Sequence, residues 1–242
     1  MRLGLLCALI STAGCRQVFG VDTPGAPALD AASDAFRLQD GGPSDASQHA
    51  CFTVAALGLM ACVDQVLPPL EATTDMTIDT SGNAFCDTSS TRSDLCVVAA
   101  SAIVIPAGVR IAVTGSRPLV IYATGTIAIT GTLDLASHVG GATGAGADPM
   151  TCASGSRPSG AGGGAGGSFG TKGGHGGAAS LLGGTGGAAA GVGGQAVLRG
   201  GCAGQNGGGV TGGGAGGGAL LLVADDQILI AGAGIVNASG QS

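Results

Sequence analysis

A glycine-rich stretch from Gly140 to Gly218 holds 35 of the 50 glycines of this chain and limits the folds that the chain can adopt. Glycine loses more conformational freedom on folding than any other residue, so such a stretch is costly to order unless close packing requires it. Units that begin GGAGG, GGHGG and GGTGG follow one another every ten residues from Gly163. Within them, glycines fall on every third residue, at Gly164, Gly167, Gly170, Gly173 and Gly176.

A spacing of three is typical of an extended helix with three residues per turn, where only glycine fits at the positions at which helices pack closely. We therefore expect polyglycine II segments within residues 140–218. The alternative is a flexible loop, which the entropic cost of ordering so much glycine favours. The sequence leaves both open.

Short apolar runs precede the glycine-rich stretch. From Val97, runs of four or five residues (AIVI, VRIAV, LVIYA, TIAIT and TLDLA) alternate with Thr-Gly or Pro-Gly turns that are too short for helices. Ile127 and Ile129 alternate with threonine and alanine, the period-two pattern of a half-buried strand. These runs predict a series of short strands joined by tight turns.

One of these units recurs after the glycine-rich stretch. Residues 117–131 align without gaps with residues 218–232 at a constant offset of 101, so that Ile127 matches Ile228. With one gap, the run LDLAS then aligns with IVNAS. Two copies of one unit imply coils that stack and bury each other's apolar edges. We predict an all-β fold, a short parallel β-helix or solenoid that carries the glycine-rich insertion.

The second copy leaves an edge that needs a partner. A solenoid normally requires a cap, because its last coil presents unpaired N–H and C=O groups and an apolar end. We therefore expect residues 218–238 to pair with another copy of the chain or to belong to a shortened version of a longer protein. The alternative is that residues 51–62, which could form a helical turn or a capping element, fold over this end.

The first residues indicate export. Arg2, apolar residues to Ile10 and small residues before Cys15 predict a secretory signal peptide over residues 1–14, too short to span a bilayer. The segment TAGC resembles the bacterial lipobox, whose cysteine receives diacylglycerol and becomes the mature N-terminus. The resemblance implies lipidation of Cys15. Arg16, in place of the Asp that retains many lipoproteins at the inner membrane, favours the outer membrane or cell surface. A plain signal peptide with a chance cysteine is the alternative.

Residues 15–50 combine Pro, Ala, Ser, Gly and Asp with little apolar periodicity, which predicts a flexible acidic tether disordered before the folded part. Loss of residues 1–14 removes one positive charge, Arg2, and changes the formal net charge from -6 to -7. The nine basic residues are scattered along the chain. Nucleic acid is therefore excluded as an expected partner, and an electrostatic contact with anionic lipid is disfavoured.

Six cysteines follow Cys15, and an even number in an exported chain favours disulfides. Several pairings are open, and we expect the sequential one: Cys51 with Cys62, Cys86 with Cys96, and Cys152 with Cys202. A zinc site is not expected, because the chain has no CxxC motif. We assign residues 51–96 to a disulfide-containing cap region, 97–139 to the first solenoid copy and 219–242 to the second.

No motif predicts a catalytic residue, a cofactor or a metal. The GxSxG pattern at 166–170 lies in the glycine-rich stretch, without the strand and helix that a nucleophile elbow needs. A polysaccharide-acting β-helix would use carboxylates and basic residues on one sheet face. The candidates are Asp134, Asp225, Asp226, Arg110 and Arg117. A polar turn is the preferred interpretation of the two adjacent aspartates.

The whole order of features resembles the glycine-rich surface lipoproteins of myxobacteria. It runs from lipobox and Ala/Asp/Pro tether through paired cysteines and GSRPLVIYATGTIAITGTLDLAS to a GGxGG stretch and GGGALLLVADDQILIAGAGI. The resemblance covers most of the chain. It implies a parallel β-helix with no assigned activity, so no functional residues are carried over.

We expect a non-enzymatic cell-surface lipoprotein with a structural or adhesive role. Its expected contacts are the membrane, through the N-terminal lipid, and either another copy of the chain or extracellular matrix or glycan. The second hypothesis is a surface binding module for glycan, a partner protein or ice, suggested by a row of outward threonines (Thr124, Thr126, Thr130 and Thr132). A polysaccharide-acting enzyme is the third.

Overall fold

A computed structural model describes residues 50–64, 68–88, 90–153, 155–179, 184–189, 198–208 and 212–241. The predicted signal peptide, nearly all of the tether and Cys15 lie outside these residues. In the part that is described, no helix has the length and apolar character needed to cross a membrane.

The regular structure is almost entirely β, as the sequence predicts. A single 3₁₀ turn is described, at Ala55–Leu57. The strands are β1 (Ala50–Val54), β2 (Leu59–Val63), β3 (Leu70–Glu71), β4 (Met76–Asp79), β5 (Cys96–Ala100), β6 (Ile103–Ile105), β7 (Arg110–Thr114), β8 (Leu119–Ala123), β9 (Ile127–Ile129), β10 (Thr132–Asp134), β11 (Leu220–Ala224), β12 (Ile228–Ile230) and β13 (Ile235–Asn237).

Eleven of these strands form three parallel sheets. We name them the β8 sheet (order β11-β8-β5), the β9 sheet (β12-β9-β6-β3) and the β10 sheet (β13-β10-β7-β4). From β5 onward the chain visits the three sheets in the same order three times, as β5-β6-β7, β8-β9-β10 and β11-β12-β13. Strands β3 and β4, within residues 51–96, already belong to two of these sheets.

The register of the sheets follows the sequence repeat. Leu119 pairs with Leu220, and Ile127 pairs with Ile228, at the offset of 101 that the ungapped alignment gives. The third pairing differs from the alignment by one residue, because Leu133 pairs with Val236 rather than with Ile235. The turn between β12 and β13 spans residues 231–234, two more than the turn between β9 and β10, and a single-residue gap does not account for both.

Alternate residues of the three sheets point toward a common apolar interior. In the β9 sheet, Ile103 stacks on Ile127 and Ile105 stacks on Ile129, and all four are at most 3% exposed. The interior cluster also includes Val98, Val113, Ile121, Leu133 and Leu135. Burial of such side chains from water supplies the main stabilising free energy of a β fold.

The hairpin of β1 and β2 covers the outer face of the β8 sheet. Phe52 and Leu59 from the hairpin pack against Val97, Tyr122 and Val223, and the rings of Phe52 and Tyr122 lie 5.0 Å apart. The hairpin turns through the 3₁₀ residues and then a glycine with φ of 55°, at position 58. Residues 51–62 therefore form an antiparallel hairpin, and not the helical turn or end cap considered from the sequence. The hairpin lies on the outer face of the β8 sheet.

The described part of the glycine-rich stretch is ordered by backbone hydrogen bonds at every third residue. The Gly163 N–H donates to the Gly177 carbonyl and the Gly166 N–H donates to Gly174, so residues 160–168 and 173–179 run antiparallel. Residues 160–168 pair in the same way with residues 198–208. The Cys202, Gln205 and Gly208 N–H groups donate to Ser168, Ala165 and Gly162.

These glycine segments approach one another too closely for side chains. A Cβ atom built on Gly164, Gly167, Gly176 or Gly213 would lie within 3.0 Å of a backbone carbonyl oxygen of a neighbouring segment, a separation that real Cβ atoms essentially never show. A Cβ on Gly174 or Gly177 would meet nothing within 4 Å. Close backbone packing therefore requires glycine at some positions of the stretch, whereas other positions have space for a side chain.

Three disulfides join the six cysteines of the described ranges in sequential pairs. Cys51 and Cys62 face each other across the hairpin, with sulfur atoms 2.10 Å apart. The sulfur atoms of Cys86 and Cys96 are 2.04 Å apart, and those of Cys152 and Cys202 are 2.03 Å apart. The last disulfide closes a loop around most of the glycine-rich stretch, with a sequence separation of 50.

Candidate interaction surface

A polar cluster surrounds Asp134, at the end of β10. Its side chain is 6% exposed, and its carboxylate accepts hydrogen bonds from the Arg110 guanidinium, the Ala136 N–H at 3.1 Å and the Asn237 side-chain amide at 3.2 Å. The Nε2 atom of His138 lies 3.0 Å from the same carboxylate. The cluster links three neighbouring strands of the β10 sheet, so it holds that face of the fold together.

The electrostatics of this cluster favour an ionised carboxylate. Burial raises the pKa of Asp134, but the hydrogen bonds from Arg110, from the Ala136 N–H and from His138 outweigh burial and place the pKa below its usual value. The stabilisation is therefore present above the ordinary pKa of an aspartate and lost as the pH falls through the lowered value. A general acid in glycoside hydrolysis needs the opposite shift.

The two adjacent aspartates lie in the turn between β11 and β12. The Tyr122 hydroxyl donates to Asp225 Oδ2 at 3.1 Å, and the Thr126 hydroxyl donates to Asp226 Oδ2 at 2.9 Å. Burial, the charge of Asp225 and this hydrogen bond raise the pKa of Tyr122. Both aspartates thus tie the last pass of the chain to the preceding one, and they form the polar turn that the sequence favours.

Arg117 holds a loop in place. Its guanidinium donates to the backbone carbonyls of Thr80 and Gly82 and, at 2.9 Å, to the side-chain oxygen of Asn83. The same guanidinium reaches the carbonyl of Leu95 at 3.5 Å. Arg117 therefore fastens residues 80–83 and Leu95 against the start of β8.

The candidate acids and bases are distributed over different sheets. Asp134 and Arg110 lie in the β10 sheet, whereas Asp225 contacts Tyr122 of β8 and Asp226 contacts Thr126, the residue before β9. Within the described ranges, no group of three or more His, Cys, Asp or Glu residues could hold a metal ion. Each of these carboxylates therefore has its own hydrogen-bond partners, and the three do not share one site.

A cleft of about 490 Å³ lies beside the Cys152–Cys202 disulfide. Its wall includes the polar residues Asp148, Arg157, Ser168, Gln205 and Asn206. Gln205 is already engaged, because its side-chain amide donates to the Ala188 carbonyl at 3.0 Å. Asp148 accepts from the Gly216 N–H at 3.0 Å. The polar groups of the cleft thus serve partly to hold the glycine segments.

The most prominent exposed surface is the edge formed by β11, β12 and β13, which are the last strands of the three sheets. We call it the β11–β13 edge. Large apolar side chains are exposed along it: Ile228 by 43%, Leu229 by 42%, Ile230 by 49%, Ile235 by 52% and Val236 by 36%. An unpaired strand edge with exposed apolar residues is a template for pairing with another chain. This is the edge for which the sequence predicts a partner.

The polar contacts of Asp134, Arg117 and Tyr122 were not predicted from the sequence. Asp134 contacts Asn237 and Tyr122 contacts Asp225, each across 103 residues of chain. The repeat alignment is a signal that could have found these two contacts, since it matches the strands that carry or flank the members of each pair. Comparisons with protein-family models, with curated proteins and with solved structures give no match.

Proposed function

We propose that this chain is a non-enzymatic cell-surface lipoprotein with a structural or adhesive role. In this proposal a lipid on Cys15 anchors it, residues 15–50 act as an acidic spacer, and the β sheets with the glycine-rich stretch form a stiff body outside the membrane. The observation that carries the proposal is the hydrogen bonding of the glycine-rich stretch at every third residue.

We further propose that the three parallel sheets are the faces of a short parallel β-helix. Support comes from the cyclic order in which the chain visits the sheets and from the stacking of equivalent residues, such as Ile103, Ile127 and Ile228, in columns. Coils of this kind bury apolar edges only against their neighbours, which gives an elongated body suited to spacing and contact.

The glycine segments are best interpreted as a polyglycine II bundle packed beside this body. Such helices repeat every three residues and have no internal hydrogen bonds, so their amides must bond to neighbouring helices. The antiparallel pairs described above have that spacing. None of the described glycines from Gly162 to Gly218 has φ in the left-handed region, which agrees with the extended φ of about -75°. A bundle of this kind is a scaffold made of backbone.

The charged residues support a structural role over an enzymatic one. Hydrogen bonds within the fold engage the side chains of Asp134, Arg117 and Asp225. A surface binding module is the second candidate function, and the exposed β11–β13 edge is the feature that favours it. Its ligand class would be another β edge, since the edge offers backbone N–H and C=O groups and apolar side chains.

The anchor is tested by mass spectrometry of the mature protein from the membrane fraction of a Gram-negative host. We expect the mature N-terminus to be an acylated Cys15. Cys15→Ser should remove the acyl mass and release the protein from membranes. Cys7→Ser is the matched control, because Cys7 lies within the signal segment, and it should change neither result. A soluble mature protein cleaved at another position would contradict the proposal.

A further inference from the structure

The apolar interior of the three sheets opens to solvent at the β11–β13 edge. Two isoleucine columns of the β9 sheet show this directly. Ile127 and Ile129 are 0% exposed, whereas Ile228 and Ile230, which stack on them, are 43% and 49% exposed. Leu229, which continues the outward-facing column, is 42% exposed. Both faces of β12 therefore present apolar surface, beside a strand edge that pairs with no other strand in the described part of the chain.

The opposite edge of the sheets is occupied by the chain itself. The Asp87 N–H donates to the Val97 carbonyl on the free side of β5, and the Cys86–Cys96 disulfide fastens the same loop, with Cys86 only 5% exposed. Strand β3 is two residues long and ends in the exposed Glu71. Short and charged edge strands discourage pairing. A head-to-tail stack of copies is therefore disfavoured, because the described residues leave the β11–β13 edge open and occupy the opposite edge.

A symmetric dimer, in which both copies use the β11–β13 edge, is compatible with one occupied edge and one open edge. Two-fold symmetry brings one surface patch against itself and closes the assembly after two subunits. Strand β12 has the sequence Ile228-Leu229-Ile230, which reads the same in both directions. An antiparallel pair of β12 strands centred on Leu229 places isoleucine opposite isoleucine on the inward side and leucine opposite leucine on the outward side.

The charges near β12 also fit such a pair. Asp225 and Asp226 lie in the turn before β12, and the turn after β12, residues 231–234, carries no charged residue. An antiparallel pair places the first turn of one subunit beside the second turn of its partner. The two aspartates therefore do not face their own copies, which avoids the like-charge cost that usually opposes symmetric contacts. The same axis brings β11 of one subunit against the partner's β13, so the apolar ends of all three sheets are covered together.

We propose that two copies of this chain form a closed dimer through antiparallel pairing of their β12 strands about Leu229. The dimer rests on the structural role proposed above, because it makes a second copy of the chain the partner in that role. Its test uses a chain without the lipid, so failure of the dimer leaves the acylation of Cys15 to be judged separately.

The first test measures association of the full chain carrying Cys7→Ser and Cys15→Ser by sedimentation velocity over a range of concentrations. We expect a dimer and no larger species. Leu229→Asp places two carboxylates opposite each other and should raise the dissociation constant by ~100-fold or more. Val139→Asp is the matched control, because Val139 is an exposed apolar residue elsewhere, at 75%, and it should leave the dimer unchanged.

The second test uses disulfide trapping in the same background. Residues directly opposite in an antiparallel pair have Cα atoms roughly 4.5–5.5 Å apart, within the reach of a disulfide. Leu229→Cys should therefore form a covalent dimer on mild oxidation, and Ala233→Cys, at the same edge, should not. A monomer at all concentrations, an open-ended series of larger species, or equal trapping by the two variants would overturn the proposal. Trapping does not depend on whether Leu229→Asp folds.

Discussion

Replacing Cys152 and Cys202 together by serine is expected to lower the free energy of unfolding by about 4 kcal/mol, because this disulfide closes a long loop in the unfolded chain. The two cysteines are separated by 50 residues and lie on either side of most of the described glycine segments. The expected loss is a large fraction of the stability of an ordinary domain. Urea denaturation followed by circular dichroism measures it.

The matched control is the same double substitution at Cys51 and Cys62, which are separated by 11 residues. A shorter loop constrains the unfolded chain less, so we expect a smaller loss, of about 3 kcal/mol. The loss at Cys51 and Cys62 should also leave the exchange of glycine-rich amides unchanged. An equal or larger loss at the short loop would contradict the placement of the long disulfide around an ordered stretch.

Replacing Gly176 by alanine is expected to lower the free energy of unfolding by about 2–3 kcal/mol, because the added methyl group would overpack a filled site. A Cβ there would lie within 3.0 Å of the Gly163 carbonyl oxygen, a backbone atom that cannot move aside alone. Thermal denaturation measures the effect.

The neighbouring Gly177 provides the control, since a Cβ on it would meet nothing within 4 Å. Gly177→Ala should be neutral, or stabilising by about 0.4–1 kcal/mol through the lower entropy of the unfolded chain. Equal effects of alanine at positions 176 and 177 would mean that the glycine segments are not packed as described.

The sequence predicts the all-β character and the stacking of the two copies because the relevant pattern is local. Inward apolar residues recur at the same places in each unit, so Leu119 and Ile127 can be matched with Leu220 and Ile228 without structural knowledge. The alignment misplaces the register of β13 by one residue, because the turn before β13 is longer than the turn before β10 and the apolar pattern does not show the difference.

Other features depend on contacts that the local pattern does not contain. The hairpin of β1 and β2 gains its stability from packing of Phe52 on Tyr122, which lie 70 positions apart in the sequence. Strands β3 and β4 carry few apolar residues and are recognised by their pairing with β6 and β7. The role of Asp134 likewise depends on Asn237, across the whole glycine-rich stretch. Tertiary contact, rather than intrinsic propensity, decides such elements.

Amide hydrogen exchange of the glycine-rich stretch, resolved by NMR on the labelled full chain, measures whether that stretch is ordered. We expect slow exchange for the Gly163, Gly166 and Gly176 amides, which donate backbone hydrogen bonds to neighbouring segments. We expect much faster exchange for Gly174 and Gly177, whose N–H groups donate none within the described residues. Uniformly fast exchange at all five amides would contradict the ordered glycine scaffold.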